Sequence, residues 1–530
     1  MSVPAVVIPS VRASMPKRPI REIRAREQGA IIKDWGGRYP VALVYPNTYH
    51  LGMSNLGLQV LYGLLNHYGD IVAERVFLDL PESVESEKPL FYFSLIAFTL
   101  SYELDYLNIP AILKNGGVTL FATERGDDEP IVIAGGASVM ANPAPVAPFF
   151  DVLCIGEAEV ILPEALPILV SSLNREQKLK ALANLPGIYV PLYWSGEPIK
   201  RQYLRDLEMF PAHSVVLTPD TEFGRLYLIE VERGCCFGCR FCLVRQAFSP
   251  MRFHSMESLL VQVKDGIGYR RRLGLIGPVV SNHPHIEDLL TCLLEMGAGF
   301  SLSSLRANSL TENLIKLIAR GGARSLAIAP EAGSERLRQV INKGITEDDV
   351  LRSIDLAIRG DMRQIKLYFM IGLPTENDED ITSLINLSLK GLSLIGKQGS
   401  PCRLTLNIAP FIPKAGTPFQ WLGMASPETL ERRLQMIKKA LSGRGIQVRS
   451  DSIPWSRVQG LLSKGDSKLA YAIAEMNNVS LSSWQEAANK TGIDEQEVLK
   501  EWTIDKELPW RMVTQDNNFL VSELKCALGE

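Results

Sequence analysis

Four of the chain's eight cysteines stand within one short stretch, EVERGCCFGCRFC at 230–242. Cys235, Cys239 and Cys242 follow a C-x3-C-x2-C spacing. Three thiolates on one loop can converge on a metal centre, and their softness selects zinc or an iron-sulfur cluster. Cys236 is the immediate neighbour of Cys235, so its side chain diverges from that centre and is read as a spare. Three protein ligands leave one iron of a four-iron cluster open to an outside ligand, much as three leave zinc an open catalytic position. The zinc alternative takes His254, a dozen residues past Cys242, as its fourth tetrahedral ligand. Cys154, Cys292, Cys402 and Cys526 stand alone and read as structural residues.

The compartment bears on this chemistry. No uninterrupted apolar core of signal-peptide length opens the chain, which implies a cytosolic protein whose thiols stay reduced and favour metal over disulfides. The longest apolar run, LFYFSLIAFTL at 90–100, is too short to cross a bilayer as a helix and reads as a buried strand, so no membrane partner is expected. With 46% hydrophobic and 22% charged residues the composition is that of a globular protein. A net charge of −3 argues against coating nucleic acid through bulk positive charge. The basic runs KRPIREIRAR at 17–26 and Arg270, Arg271 and Arg272 read as solvated surface.

The 530 residues exceed what one core organises, and the pattern divides them. After an N-terminal extension (1–36), residues 37–170 carry apolar strands at 41–46, 94–100, 130–136 and 151–156. A helix in which Leu61, Leu64, Leu65 and Tyr68 recur at helical spacing stops at Gly69. Such alternation implies a doubly wound parallel sheet covered on both faces. Its ligands would lie beyond the carboxyl ends of the strands, where NTYHLGMSNLG, TLSYELDY and GGASVMANP gather small and polar residues. Gly135 and Gly136 there suit either a closely approaching ligand or a tight turn alone. Residues 171–222 read as a linker with a small hairpin.

From 223 to 420, six strands (225–231, 275–280, 299–303, 323–329, 364–372, 404–410) alternate with helices. Thr346 with Asp349 and Thr375 with Asp378 form the expected caps, and Gly344 and Gly360 the stops. The fold class is therefore α/β: a doubly wound sheet, then a (β/α)6 partial TIM barrel with its chemistry on the loops after the strands, then a mainly helical C-terminal appendage at 421–530 that shows no catalytic constellation.

The cysteine spacing, with aromatic Phe241 directly before the last cysteine at the end of the first strand of a six-unit barrel, resembles the radical S-adenosylmethionine (SAM) superfamily. The resemblance implies a [4Fe-4S] cluster on Cys235, Cys239 and Cys242, with its open iron chelated by the amino and carboxylate groups of SAM. One electron then cleaves the sulfonium to a 5'-deoxyadenosyl radical, which takes a hydrogen atom from substrate. It implies an electron donor such as a flavodoxin or ferredoxin; no motif names the substrate. Stretches similar to the family's SAM-binding segments are IAPEAGSERLRQVINKG (328–344) with Glu331 and Ser334, SSLRANSL with Ser304 and Arg306, and KLYFMIGLP (366–374) with Lys366 and Gly372; Phe241 joins them. A carboxylate suits ribose hydroxyls or an ammonium group, and backbone around Gly372 suits close approach by an adenine. Considered singly, Arg306 and Lys366 read as salt-bridged structural residues. Many members carry Gly-Gly-Glu after the second strand to bind the methionyl ammonium. Here LIGPVVSNHPHIEDLL offers Gly277, Ser281, Asn282 and His283, which leaves that role unassigned and His283 a surface loop histidine.

Residues 40–165 resemble the cobalamin-binding domains that precede the barrel in one subclass of the superfamily. By that resemblance Thr99 and Ser101 lie near the lower face of cobalamin, and Gly135 and Gly136 near its nucleotide tail. The Asp-x-His-x-x-Gly axial-ligand pattern is missing, since Thr48 and Met53 replace its Asp and Gly, so His50 is not expected as a lower ligand. Three functions follow: cobalamin-dependent C-methylation of an unactivated carbon, a cobalamin-independent radical modification such as methylthiolation of RNA or protein, and a zinc-binding interaction module.

Overall fold

The computed structural model describes residues 18–530. Its first sheet has six strands in the order β2-β1-β3-β4-β5-β6: β1 (Tyr39–Tyr45), β2 (Ile71–Phe77), β3 (Leu95–Thr99), β4 (Ile131–Gly135), β5 (Val152–Cys154) and β6 (Ile188–Tyr189). All pairs are parallel except β5–β6. Because β1 lies between β2 and β3, the chain reverses its winding direction there. A ligand crevice therefore opens beyond the carboxyl ends of β1 and β3, at Asn47 and Thr99.

β2, IVAERVF, was not among the expected strands because Glu74 and Arg75 interrupt its apolar run. Both are buried, and Arg75 is matched by Glu27 and Glu85 at 2.7 Å each. Residues 171–222 form no hairpin. They hold the helix Arg175–Leu182 and the edge strand β6, and Leu217 pairs with Gln28.

Strands stand in all six expected places, the second shifted toward the amino terminus: it runs over Arg272–Ile276, and 277–280, expected as its continuation, lie in the loop after it. In chain order come β7 (Tyr227–Glu230), the short β8 (Glu232–Arg233) and β9 (Arg252–Phe253), β10 (Arg272–Ile276), β11 (Gly299–Leu302), β12 (Ser325–Glu331), β13 (Gln364–Ile371), β14 (Arg403–Pro410) and β15 (Ile446–Ser450). β11-β10-β7 form one parallel sheet and β12-β13-β14-β15 another. β8 and β9 pair antiparallel and frame the cysteine loop. β15 is an addition: it lies past residue 420 in the stretch expected to be helical, and it extends the barrel sheet from Leu404↔Ile446 to Ile408↔Ser450. Along β13 burial alternates, so Ile365, Leu367, Phe369 and Ile371 pack under helices while Gln364, Lys366, Tyr368 and Met370 share the other face.

The cap at Thr346 forms as a reciprocal box with Asp349. The other cap shifts by two residues: Asn377 accepts the N–H groups of Glu379 and Asp380, while Thr375 adopts φ +61° and receives Arg336 instead. After β15 come the helices Ile453–Lys464, Lys468–Glu475, Leu481–Thr491 and Asn517–Leu528. Among the described residues no helix is long and apolar enough to cross a membrane. One face of the first sheet (Val44, Phe98, Val132) shares a continuous core with the barrel and the C-terminal helices, and the other face (Leu43, Leu95, Ile131) has its own.

Candidate metal centre

The cysteine loop runs from β8 to the helix Leu243–Phe248, whose N-cap is Cys242. Gly234 starts it at φ +86°, where a Cβ would stand 2.4 Å from the Phe248 carbonyl; only glycine fits. Cys235, Cys239 and Cys242 are half-buried and Cys236 is exposed, which matches its reading as a spare. Burial raises the Cys235 thiol and pushes Cys242 up to about 11, and each is raised further by the charge of Cys239. Thiols that disfavour each other's ionisation stand together, and a cationic metal centre is what releases their protons. Backbone N–H groups of Phe237 and Val244 point at Cys235 and Cys242. The donor set thus fits a cluster.

Among the described residues no group of three or more His, Cys, Asp or Glu side chains is arranged to hold a single metal ion. His254 does not join the cysteines. Its ring faces Glu208 at 3.8 Å and Glu230 at 3.9 Å, which removes the fourth ligand of the zinc alternative. His283 is no surface residue either: it is 2% exposed, its Nε2 lies 3.1 Å from the His254 carbonyl, and its Nδ1 accepts the His285 N–H. Burial lowers its pKa.

Several expected residues meet at this loop. The guanidinium of Arg306 lies 3.7 Å from the Phe237 ring centroid and donates to the Lys343 carbonyl and to Asn308, so it packs the loop rather than pairing with a carboxylate. Glu331 ends β12 at φ +67° and pairs with Lys343 at 3.1 Å. Lys343 is buried close enough to Cys239 and Cys242 to feel their charge, and lies 5.9 Å from the Phe241 ring centroid. Sequence reasoning missed Lys343, although it lies inside the 328–344 stretch. It also missed Arg240, which donates to the carbonyls of Gln339 (3.0 Å) and Val340 (2.9 Å) and pairs with Glu523 at 2.9 Å on the helix Asn517–Leu528. The C-terminal region therefore buttresses the cysteine loop.

Other expected residues are engaged elsewhere or stand apart. Ser334 caps the helix Glu335–Val340 and donates to Asp380 at 2.5 Å. Gly372, at φ +79°, is required by packing, since a Cβ would come 2.7 Å from Leu430. Ser304 is half-buried just past β11. Lys366 stands on the same face of β13 as Tyr368 and, contrary to its reading as salt-bridged, forms no ion pair among the described residues.

The crevice of the first sheet adjoins the loop. Gly136, at φ +124°, would set a Cβ 2.2 Å from the Leu100 carbonyl. It begins the helix Ala137–Ala141, which packs on the helix Leu243–Phe248. A Cβ on Gly135 would lie 3.4 Å from the Cys154 side chain, an ordinary contact. The Thr99 hydroxyl is buried with no hydrogen-bond partner among the described residues, and Ser101 is exposed. Tyr102 donates to Gln459 at 3.1 Å and feels the charge of Asp451, just past β15, so the carboxyl ends of the two sheets face each other. Asp105 is buried and accepts from Asn47 at 2.7 Å. His50 is turned toward Glu222 at 3.6 Å. Within the basic runs, Arg18 and Arg26 pair with Asp220, and Arg272 donates to the Phe300 and Gly321 carbonyls; Lys17 lies outside the described residues.

Two family models match this chain: "Radical SAM proteins, N-terminal" over residues 57–191 and "Radical SAM superfamily" over residues 229–388. An uncharacterized protein of Methanocaldococcus jannaschii is 34% identical over 84% of this chain and 93% of its own length. Two solved structures share the fold. TsrM, a radical SAM methyltransferase from Kitasatospora setae with cobalamin and a [4Fe-4S] cluster bound, has TM-score 0.53 at 13% identity, covering 86% of this chain and 99% of its own. OxsB, a cobalamin-dependent SAM radical enzyme with aqua-cobalamin and SAM bound, has TM-score 0.52 at 14% identity, covering 93% and 79%. The cysteine loop, the barrel beneath it and the sheet that precedes it thus place this chain among the enzymes of the radical SAM superfamily.

Proposed function

We propose that the chain holds a [4Fe-4S] cluster on Cys235, Cys239 and Cys242, SAM at the open iron and cobalamin in the crevice of the first sheet, and that it C-methylates an unactivated carbon of its substrate in the cytosol. When bound, the cluster supplies one electron to the sulfonium and cobalamin a transferable methyl group. The protein's own part is positional. Lys343, held by Glu331, places a buried cation beside the thiolates and offsets their charge. Arg306, over the Phe237 ring, and Arg240, bonded to the Gln339 carbonyl, hold the loop in place. The unpartnered Thr99 hydroxyl offers a hydrogen bond to a ligand in the crevice, and Gly136 keeps the backbone there free of a side chain. Lys366, Tyr368 and Met370, on the less buried face of β13, are the side chains we assign to the substrate.

The observation that carries this reading is the packing of the Cys242-capped helix on the helix begun by Gly136, which brings the cysteine loop to the carboxyl end of β4, the strand next to β3. Its support beyond this chain is the shared fold of TsrM and OxsB, both solved with cobalamin. Anaerobic reconstitution with iron, sulfide and hydroxocobalamin tests it. Iron and sulfide in equal amounts, retained cobalt, and release of 5'-deoxyadenosine with SAM and dithionite are expected, the last abolished in Cys239→Ala. A colourless zinc protein overturns the whole reading; a cluster without cobalt overturns the cobalamin part and leaves the cobalamin-independent modification.

A further inference from the structure

Glu232 lies on β8, three residues before Cys235, and is 1% exposed. Its Oε1 accepts the Val279 N–H at 2.6 Å, whereas Oε2 is buried and has no hydrogen-bond partner among the described residues. Among the described residues it forms no ion pair. Arg233, its neighbour, turns the other way to Glu157, Glu159 and Glu230, at 2.8 Å each. A buried carboxylate oxygen without a donor is a costly arrangement that a cationic or N–H-bearing ligand relieves. Burial accordingly pushes the Glu232 carboxyl up to about 7.

The surroundings are shaped for this side chain. Gly277 follows β10, and a Cβ there would stand 2.4 Å from Glu232 Cγ; its missing side chain is what lets the carboxylate rest on the end of that strand. The carboxyl ends of β7 and β10 are where ligands of such barrels bind. Glu232 is also close enough to the metal loop for its charge to raise the Cys235 thiol. A metal ion is a poor occupant, because no further donors converge with it. A ligand chelating the open iron of a cluster on this loop through an amino and a carboxylate group would still carry N–H bonds of the kind this oxygen lacks.

We infer that Glu232 receives the α-amino group of SAM, whose N–H donates to Oε2 while Oε1 stays on Val279. This rests on the proposed cluster and SAM site, and it assigns the role that the residues after β10 leave vacant in this chain.

The test uses the reconstituted full-length protein, with equilibrium dialysis of SAM and of its analogue lacking the α-amino group, and electron paramagnetic resonance of the reduced cluster with and without each. Glu232→Gln is expected to keep the iron content and the ligand-free spectrum, to bind SAM about tenfold to a hundredfold more weakly, and to bind the desamino analogue as wild type does. Unchanged SAM affinity, or equal losses for both ligands, overturns the inference. If Glu232→Gln does not fold, Glu232→Asp decides by the same comparison, since it keeps the charge and withdraws it by one methylene. A wild-type protein whose cluster signal does not respond to SAM overturns the underlying reading; a responsive wild type with an indifferent Glu232 overturns this assignment alone.

Discussion

At the scale of single residues, what the sequence made visible were candidate ligands close together along the chain. Cys235, Cys239 and Cys242 announce themselves because one loop must carry all three, whereas Lys343, Arg240 and Glu232 become meaningful only when strands far apart in sequence bring them to that loop. A lysine 101 positions after Cys242 carries no local signal of its role. Buried acids are equally silent. Asp105 sits next to the crevice with its carboxyl pushed up to about 7, chiefly by burial and further by Glu103. The unfolded chain ionises it near 3.9, so between about pH 4 and 7 the folded state binds the extra proton, and stability falls as pH rises through that window and levels off above it. In cofactor-free protein, Asp105→Asn is expected to remove this slope and to be more stable than wild type at pH 8 by about 2–4 kcal/mol. Urea midpoints from pH 4 to 8 check it; parallel curves for variant and wild type would assign the burden to another group.

Elements were legible where apolar periodicity was clean, and lost where a charge broke it. β2 went unseen because Glu74 and Arg75 lie inside it, and β15 because IQVRS reads as polar; it is a strand only because β14 offers its edge. The C-terminal helix Asn517–Leu528 lies in the stretch read only as a mainly helical appendage, and its part as a support was not legible, since that depends on Arg240 reaching Glu523 and on Arg245 lying 4.6 Å from the Phe519 ring centroid. Arg240 ties its loop to two separate segments, and removing it takes a donor from the Gln339 carbonyl, which keeps the Asn342 N–H, and from the Val340 carbonyl. Arg240→Ala is expected to keep the far-UV circular dichroism and to lose iron to a chelator about tenfold faster, while Glu523→Gln, which leaves those two carbonyl bonds intact, has a much smaller effect. Equal rates in wild type and Arg240→Ala would show that the loop stands without this buttress.

On the scale of the whole molecule, the three regions that the sequence separates are joined across one polar seam. Glu103, just past β3, is buried and pairs with Lys414 from the barrel at 2.6 Å while accepting from Gln459 of the helix Ile453–Lys464 at 2.9 Å. Asn142 donates to the Ser463 and Gly465 carbonyls at 3.1 and 2.9 Å. Despite its burial, the Glu103 carboxyl is held below the usual range, first by the Lys414 ammonium and then by Gln459. Breaking such a pair from one side strands a buried charge, at about 3–5 kcal/mol, whereas removing both partners is far milder. Lys414→Met and Glu103→Gln are therefore each expected to lower the urea midpoint, and the double variant to recover much of the loss, a coupling that independent residues cannot produce. The same cycle reads out the seam's role. If the domains are joined here, each single variant separates one cooperative transition into two, with tryptophan fluorescence and far-UV circular dichroism no longer coincident, and the double variant restores their coincidence. Additive losses with coincident transitions throughout would mean that the shared apolar core alone holds the first sheet against the barrel.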